Sequence, residues 1–219
     1  MQHDEKLSIP LVKNYLDILT KSFLPQAPVS EKALSILFNA NLYGEVIREI
    51  KLKMNLPCTI GIRTYEDDKF PIKTAAGFIG IPSIMPMYGS TSFENLKLEL
   101  SIRKSLRSNY YKFGYVSTHE MAHVCLYSRY HSLRESEIAT DLLVIVMGFG
   151  QIMLHGRKDC GYLDDFHFNF AMSYFQKILQ EKRPGTYERQ PFNFDVNFSN
   201  IDIDNIFKGI DDLFKNFQF

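Results

Sequence analysis

The sequence predicts an α+β fold: N-terminal helices, a small and mostly antiparallel sheet, then two helices that carry the chain's clustered His, Glu and Asp residues. Three observations predict it. Apolar residues recur at helical spacing through 9–24 and 31–55. Leu96, Leu98, Leu100 and Ile102 alternate with Lys97, Glu99 and Ser101, the period-two pattern of a half-exposed strand. Residues 138–147 are almost wholly apolar, so their helix is expected to be buried on nearly all sides. The 219 residues suffice for one substantial core. We read 1–219 as a single domain, with a helical N-terminal scaffold (1–57), the sheet and polar-cluster helices (58–183) and a Phe-rich C-terminal tail (184–219).

In the first helix Leu11, Tyr15, Leu16, Leu19 and Leu24 mark the buried face, and Pro25 and Pro28 stop it. Ser30 suits an N-cap for the second. That stretch carries Ala33, Leu34, Leu37, Phe38, Leu42, Val46 and Ile50, Gly44 is placed to bend or split it, and Pro57 ends it. Neither helix holds a catalytic pair, so both read as packing scaffold. Residues 58–65 have the β-branched look of a strand, and 66–69 form a charged turn. The apolar run 76–87 reads as a strand plus an irregular turn. Its glycines lack the G-K-[ST] of a phosphate loop. The alternating strand 96–102 is expected to be structural first, and second an edge able to pair with an extended chain.

The specific chemical signal is V-S-T-H-E-M-A-H-V-C, residues 116–125. His119, Glu120 and His123 spell H-E-x-x-H. On a helix the two imidazoles lie one turn apart on one face and can reach one metal ion, with Glu120 beside them as a base. Ser117 and Glu120 also fit a capping box, but capping explains neither histidine. Tyr115 and Tyr127 extend the same face. After a turn at 129–131, Ser132 and Glu135 form a capping box that is expected to open the next helix. Glu137 and Asp141 then stand i, i+4 on one face. A carboxylate inside a buried helix needs a partner, and a metal-bound imidazole is the obvious one. Zinc held by two His wants a third protein ligand, which Glu137 can supply, and a carboxylate behind an imidazole, which Asp141 can supply.

H-E-M-A-H followed at short range by E-x-x-x-D resembles the gluzincin branch of the zinc metallopeptidases, the thermolysin-like group, over about residues 115–150. The resemblance implies a compact zincin-like fold and one zinc ion per chain. It makes His119, His123 and Glu137 the ligands, Glu120 the general base and Asp141 the carboxylate behind a ligand histidine. The implied reaction is hydrolysis of peptide bonds in a peptide or protein substrate, and small cytosolic metallopeptidases that cleave repressors are the nearest functional analogy. A stabiliser of the tetrahedral oxyanion is also needed. Tyr115, Tyr127, Tyr130 and His131 are candidates, with Tyr127 and His131 taken forward as catalytic. His131 is also the rival third ligand, but the metzincin spacing would put Gly at Leu126 and His at Arg129. His155 and His167 read as structural.

Bulk properties bound the rest. Lys+Arg and Asp+Glu both number 25, so no basic excess points to nucleic acid. Cys58, Cys125 and Cys160 are scattered without a C-x-x-C, as expected of reduced thiols. The N-terminus is polar and no run reaches membrane-span length, so the expectation is a soluble cytoplasmic protein with no membrane partner. Asp164 is expected to cap a further helix to about Lys182. The tail is expected to pack on its own domain or dock on a protein partner. The alternative function is a non-catalytic interaction module with a structural or vestigial zinc site.

Overall fold

A computed structural model describes residues 6–72 and 75–182. The Phe-rich tail (184–219), expected to pack on its own domain or dock on a protein partner, lies outside the described residues. Backbone contacts group the chain into two units, 1–177 and 178–219, and the site described below lies wholly in the first.

The protein is α+β, with eight helices and a three-stranded mixed sheet among the described residues. Helix α1 (Ile9–Ser22) begins at Ser8, whose Oγ accepts from the Leu11 amide, and buries Val12, Leu16 and Leu19. The second helical stretch splits into α2 (Glu31–Asn39) and α3 (Tyr43–Lys53). The split falls at Asn41, which takes a left-handed backbone (φ 60°), and not at Gly44, which sits in the first turn of α3. Asn is among the few residues that tolerate that conformation.

Strand β1 (Thr59–Tyr65) pairs in parallel with β3 (Lys97–Arg103), Thr59 opposite Lys97 through Tyr65 opposite Arg103. Strand β2 (Gly77–Ile79) pairs antiparallel with the other side of β3, Ile79 opposite Leu100. The order β1-β3-β2 corrects the expected mostly antiparallel sheet and decides between the two readings of the alternating strand, structural first and edge second. The longer pairing is parallel, so the sheet is mixed, and the alternating strand is the central one. Period-two alternation reports one buried face, here Leu98, Leu100 and Ile102, and is silent about which neighbours pair on either side. The short helix α4 (Thr91–Glu94) precedes β3.

Helix α5 (Tyr110–Ser128) starts at Asn109, whose Oδ1 accepts from the Lys112 amide. Ser117 therefore lies mid-helix, fully buried, donating to the Phe113 carbonyl, and caps nothing. Helix α6 (Glu137–Val146) is buried at every position from Ile138 to Val146. Each large aliphatic side chain so covered contributes about 2 kcal/mol of burial free energy. The cap of α6 is Ser136, whose Oγ accepts from the Ala139 amide, which displaces the expected Ser132–Glu135 box. A short helix α7 (Gly150–Gly156) follows α6 and packs on α5. Helix α8 (Asp165–Lys182) starts where expected, with Asp164 Oδ1 accepting from the His167 amide. Helix α6 also packs on α1 and α5, and β2 lies against α5. The two polar-bearing helices are thereby held side by side.

Candidate metal centre

His119 and His123 project from one face of α5 toward Glu137, the first residue of α6. Glu137 Oε2 lies 3.1 Å from His119 Nε2 and 3.2 Å from His123 Nε2. The three candidate ligand atoms all lie within 4.8 Å of one another. Tetrahedral bonds of about 2.0–2.2 Å separate neighbouring ligands by roughly 3.3–3.6 Å, so the two histidine–Glu137 separations lie close to that span and the donor types suit zinc.

Each imidazole is aimed from behind by α6. His119 Nδ1 lies 2.8 Å from Asp141 Oδ1, and since a carboxylate only accepts, Nδ1 carries the proton. Asp141 is wholly buried, and its Oδ1 also accepts from the Tyr115 hydroxyl at 2.7 Å. Its Oδ2 accepts from the Tyr162 amide at 2.8 Å. Three donors thus offset the cost of burying that carboxylate. Behind His123, Thr140 Oγ1 lies 3.4 Å from Nδ1, and because the Thr140 hydroxyl donates to the Ser136 carbonyl, its oxygen accepts from the ring. Both Nε2 atoms are left facing Glu137.

Without a metal the cluster satisfies itself as an ion pair. Burial opposes charge on His119, but hydrogen bonds to Asp141 and Glu137 outweigh it and push its pKa to about 10. Burial likewise works against the Glu137 carboxylate, yet the bonds from His119 and His123 hold its pKa well below the usual range. Glu120 moves the other way. Its burial raises its pKa, opposed by the nearby histidines and by the Ile79 amide, which donates to Oε2 at 3.0 Å.

These groups floor a cleft of about 860 Å³. One wall is β2 and the segment after it, with Phe78, Ile81, Pro82, Ile84 and Met85. That segment is strapped along α5 by the Tyr130 hydroxyl on the Met85 carbonyl (2.5 Å) and the Tyr88 amide on the Ser128 carbonyl (2.7 Å). Tyr127, Tyr130, Arg134, Glu135 and Tyr162 complete the lining.

The sequence-derived residues divide. His119, Glu120, His123 and Glu137 converge, Asp141 stands behind them, and Tyr127 lines the cleft with its hydroxyl donating to Glu135 Oε2 at 2.6 Å. His131 does not join them: its Nε2 lies 3.1 Å from Ser22 Oγ, its Nδ1 accepts from the Leu133 amide, and its ring packs on Phe23. The left-handed Tyr130 (φ 49°) turns the chain there, which carries His131 away from the metal face and ends its candidacy as ligand or proton donor. Tyr115 is buried with its hydroxyl on Asp141, so it braces that carboxylate and does not reach substrate. Glu135, expected to cap, instead faces the cleft. His155 lies against Tyr111 with its ring tilted, and His167 bonds Asp164, both away from the cleft.

Sequence reasoning missed Tyr162 and Thr140. Tyr162 lines the cleft and its ring lies nearly parallel to that of His119, 17° apart with centroids at 5.6 Å. Burial and the charges of Glu137, Asp141 and Glu120 push its phenol up to about 12, which keeps it a hydrogen-bond donor. No short-range motif ties Tyr162 to α5. Thr140 was readable as the residue one position before Asp141 on the same helix.

Comparison of the chain with protein-family models, with curated proteins and with solved structures returns no match. Among the described residues, no helix is long and apolar enough to cross a membrane.

Proposed function

We propose that the protein is a zinc metallopeptidase that hydrolyses peptide bonds. The observation that carries the reading is the convergence of His119 Nε2, His123 Nε2 and Glu137 Oε2 beside the buried carboxylate of Glu120, on the floor of an open cleft. When bound, zinc supplies Lewis-acid polarisation of a carbonyl and lowers the pKa of water to about 7. Glu120 acts as general base and returns the proton to the leaving amine. Its burial, which raises its proton affinity, suits that exchange. Tyr162, which lines the cleft with its ring against His119, donates to the developing oxyanion. Asp141 and Thr140 each hold an Nδ1 proton, so Nε2 is the nitrogen each histidine offers to the metal once any proton on it has left.

The mixed sheet with its edge strand along the H-E-x-x-H helix supports a zincin-like reading of the fold. Among the described residues the cluster offers three ligands and not four, which favours an open reactive position over a closed structural site. Cys58, Cys125 and Cys160 stay unpaired, which fits the reducing cytoplasm.

The test is metal content by mass spectrometry on protein purified without a metal-affinity tag. About one zinc per chain, lost in Glu137→Ala, with cleavage of a peptide library that Glu120→Gln abolishes, is expected. A protein that binds no added zinc would sink the reading. One that binds zinc but cleaves nothing would leave the interaction module as the better account.

A further inference from the structure

Arg157 is a buried cation outside the cleft. Its side chain is only 7 % exposed, and it stands just after α7, at the start of the turn that carries Tyr162. Nη1 donates to the Leu163 carbonyl at 2.9 Å, Nη2 donates to Asp165 Oδ1, and the guanidinium lies 4.5 Å from the centroid of Phe168. The backbone of Arg157 grips the same turn, its carbonyl accepting from the Cys160 and Gly161 amides at 3.1 and 2.7 Å. Asp159 takes a left-handed backbone (φ 69°) within that turn. Gly161 fits only because it lacks a side chain: a Cβ there would lie 2.8 Å from Arg157 Cβ and 3.3 Å from the Tyr115 hydroxyl. A buried guanidinium is costly, and here Nε makes no hydrogen bond among the described residues. An apolar side chain would fill the space without that cost. Its rigid fork does what such a side chain cannot, holding Leu163 and Asp165 just after Tyr162 while the backbone carbonyl of the same residue holds Cys160 and Gly161 just before it.

We propose that Arg157 is a positioning residue for the metal centre: by clamping residues 158–165 it seats the Tyr162 amide on Asp141 Oδ2 and the Tyr162 ring on His119. Asp141 then keeps its proton acceptors directed at Tyr115 and at His119 Nδ1, and His119 presents Nε2 to the metal. The inference rests on the metal-site reading above, but the clamp itself is a property of the metal-free chain.

The experiment compares wild type, Arg157→Met, Arg157→Lys and Asp165→Asn. Zinc affinity is measured by chelator competition, coordination by the visible spectrum of the Co²⁺-loaded protein, and the clamp by amide hydrogen exchange of Tyr162 in metal-free protein. Arg157→Met is expected to weaken zinc about 10- to 100-fold, the usual loss when a group orienting a ligand is removed. It should also alter the Co²⁺ bands and speed Tyr162 exchange, while amides in the middle of α5 stay protected. Arg157→Lys, which keeps one donor, should recover part of each effect. A folded Arg157→Met with wild-type zinc affinity, Co²⁺ spectrum and Tyr162 protection would overturn the proposal. If Arg157→Met does not fold, Asp165→Asn decides. It removes the charged anchor at an exposed carboxylate and should speed Tyr162 exchange, and no change there overturns the clamp. Wild type that bound neither zinc nor Co²⁺ would defeat the metal-site reading and this role with it. The exchange data would then show separately whether the clamp exists.

Discussion

The amide of Ile79 donates to Glu120 Oε2 at 3.0 Å, so the edge strand of the sheet is tied to the helix that carries both histidines. The bond comes from backbone, on a strand whose other side pairs with β3, and it fixes the carboxylate at the cleft floor. Glu120→Gln keeps an acceptor oxygen for that amide and leaves the ligand set untouched. It should retain zinc stoichiometry while peptide hydrolysis falls by at least about 100-fold, the scale of general-base catalysis. Metal analysis and a fluorogenic peptide assay on the same preparation check it, and full activity in the variant would refute the mechanism.

Metal binding should release a proton well above the ordinary histidine range. In the metal-free protein His119 is charged up to a pKa of about 10, against an unperturbed value near 6.5. That raised pKa stabilises the metal-free fold fully below about pH 6.5, and the contribution is lost as pH rises through about 10. Glu137 has the opposite sign: its depressed pKa contributes stability above the normal carboxylate range, lost as pH falls through the folded value. Zinc must displace the His119 proton, so affinity should climb about tenfold per pH unit between 7 and 9. Calorimetry at pH 8 in buffers of different ionisation enthalpy should count about one proton released per zinc. A count of zero would show that His119 is already neutral.

Asp141 and Thr140 divide the work of aiming the ligands. Asp141→Asn retains shape but sets an amide NH₂ against the His119, Tyr115 and Tyr162 donors that now converge on one carboxylate. Zinc affinity should fall about 10- to 100-fold, and stability by about 1–3 kcal/mol for the donor left unpaired. Thr140→Val removes the oxygen beside His123 Nδ1 at 3.4 Å, a longer contact, and should cost less than Asp141→Asn in both measures. Chelator competition and urea unfolding give the two numbers, and the reverse ranking would contradict the geometry.

Tyr162→Phe separates the phenol from the rest of that residue. The amide bond to Asp141 and the ring stacked on His119 both survive the substitution. Zinc affinity should therefore hold, while kcat falls about 100-fold with little change in KM, as for loss of one oxyanion donor. Equal losses in zinc affinity would mean that the hydroxyl serves the metal site and not the transition state.

What could be read from the chain follows from how local each signal is. His119, His123, Glu137 and Asp141 were legible because i, i+4 spacing on a helix fixes which side chains share a face. Glu120 was legible as a carboxylate beside the two histidines, but its amide partner was not, since a backbone donor on β2 leaves no mark in the residue types. Tyr162 lies 39 residues beyond His123 on an irregular turn, held there by Arg157 and Gly161, and periodicity has nothing to say about such turns. His131 was misjudged because proximity in sequence stood in for direction, and the left-handed Tyr130 reversed that direction. The longer helices were found by their apolar patterns, while the short α4 and α7 carry too few residues to show one. The sheet's order was not found, because a stripe identifies a face and never a neighbour.

Gly77 decides how β2 reaches Glu120 at all. A Cβ on Gly77 would lie 2.6 Å from Val116 Cγ1 on α5 and 3.1 Å from the Ser101 carbonyl on β3, so the strand fits between helix and sheet only as glycine. Val116 is β-branched and stiff, and the Ser101 carbonyl is backbone, so neither yields cheaply. Gly77→Ala should destabilise the protein by about 1–3 kcal/mol, the range for forcing an extra carbon into a packed interface. The strain should relax by moving β2 off α5, which lengthens the Ile79–Glu120 bond. Activity should then fall by more than the folded fraction falls, while the zinc ligands, which sit on α5 and α6 alone, keep their affinity. Urea unfolding, zinc affinity and peptide turnover on the one variant test all three limbs. Unchanged stability would show that β2 shifts freely, and the edge strand would then have no claim to fix the base.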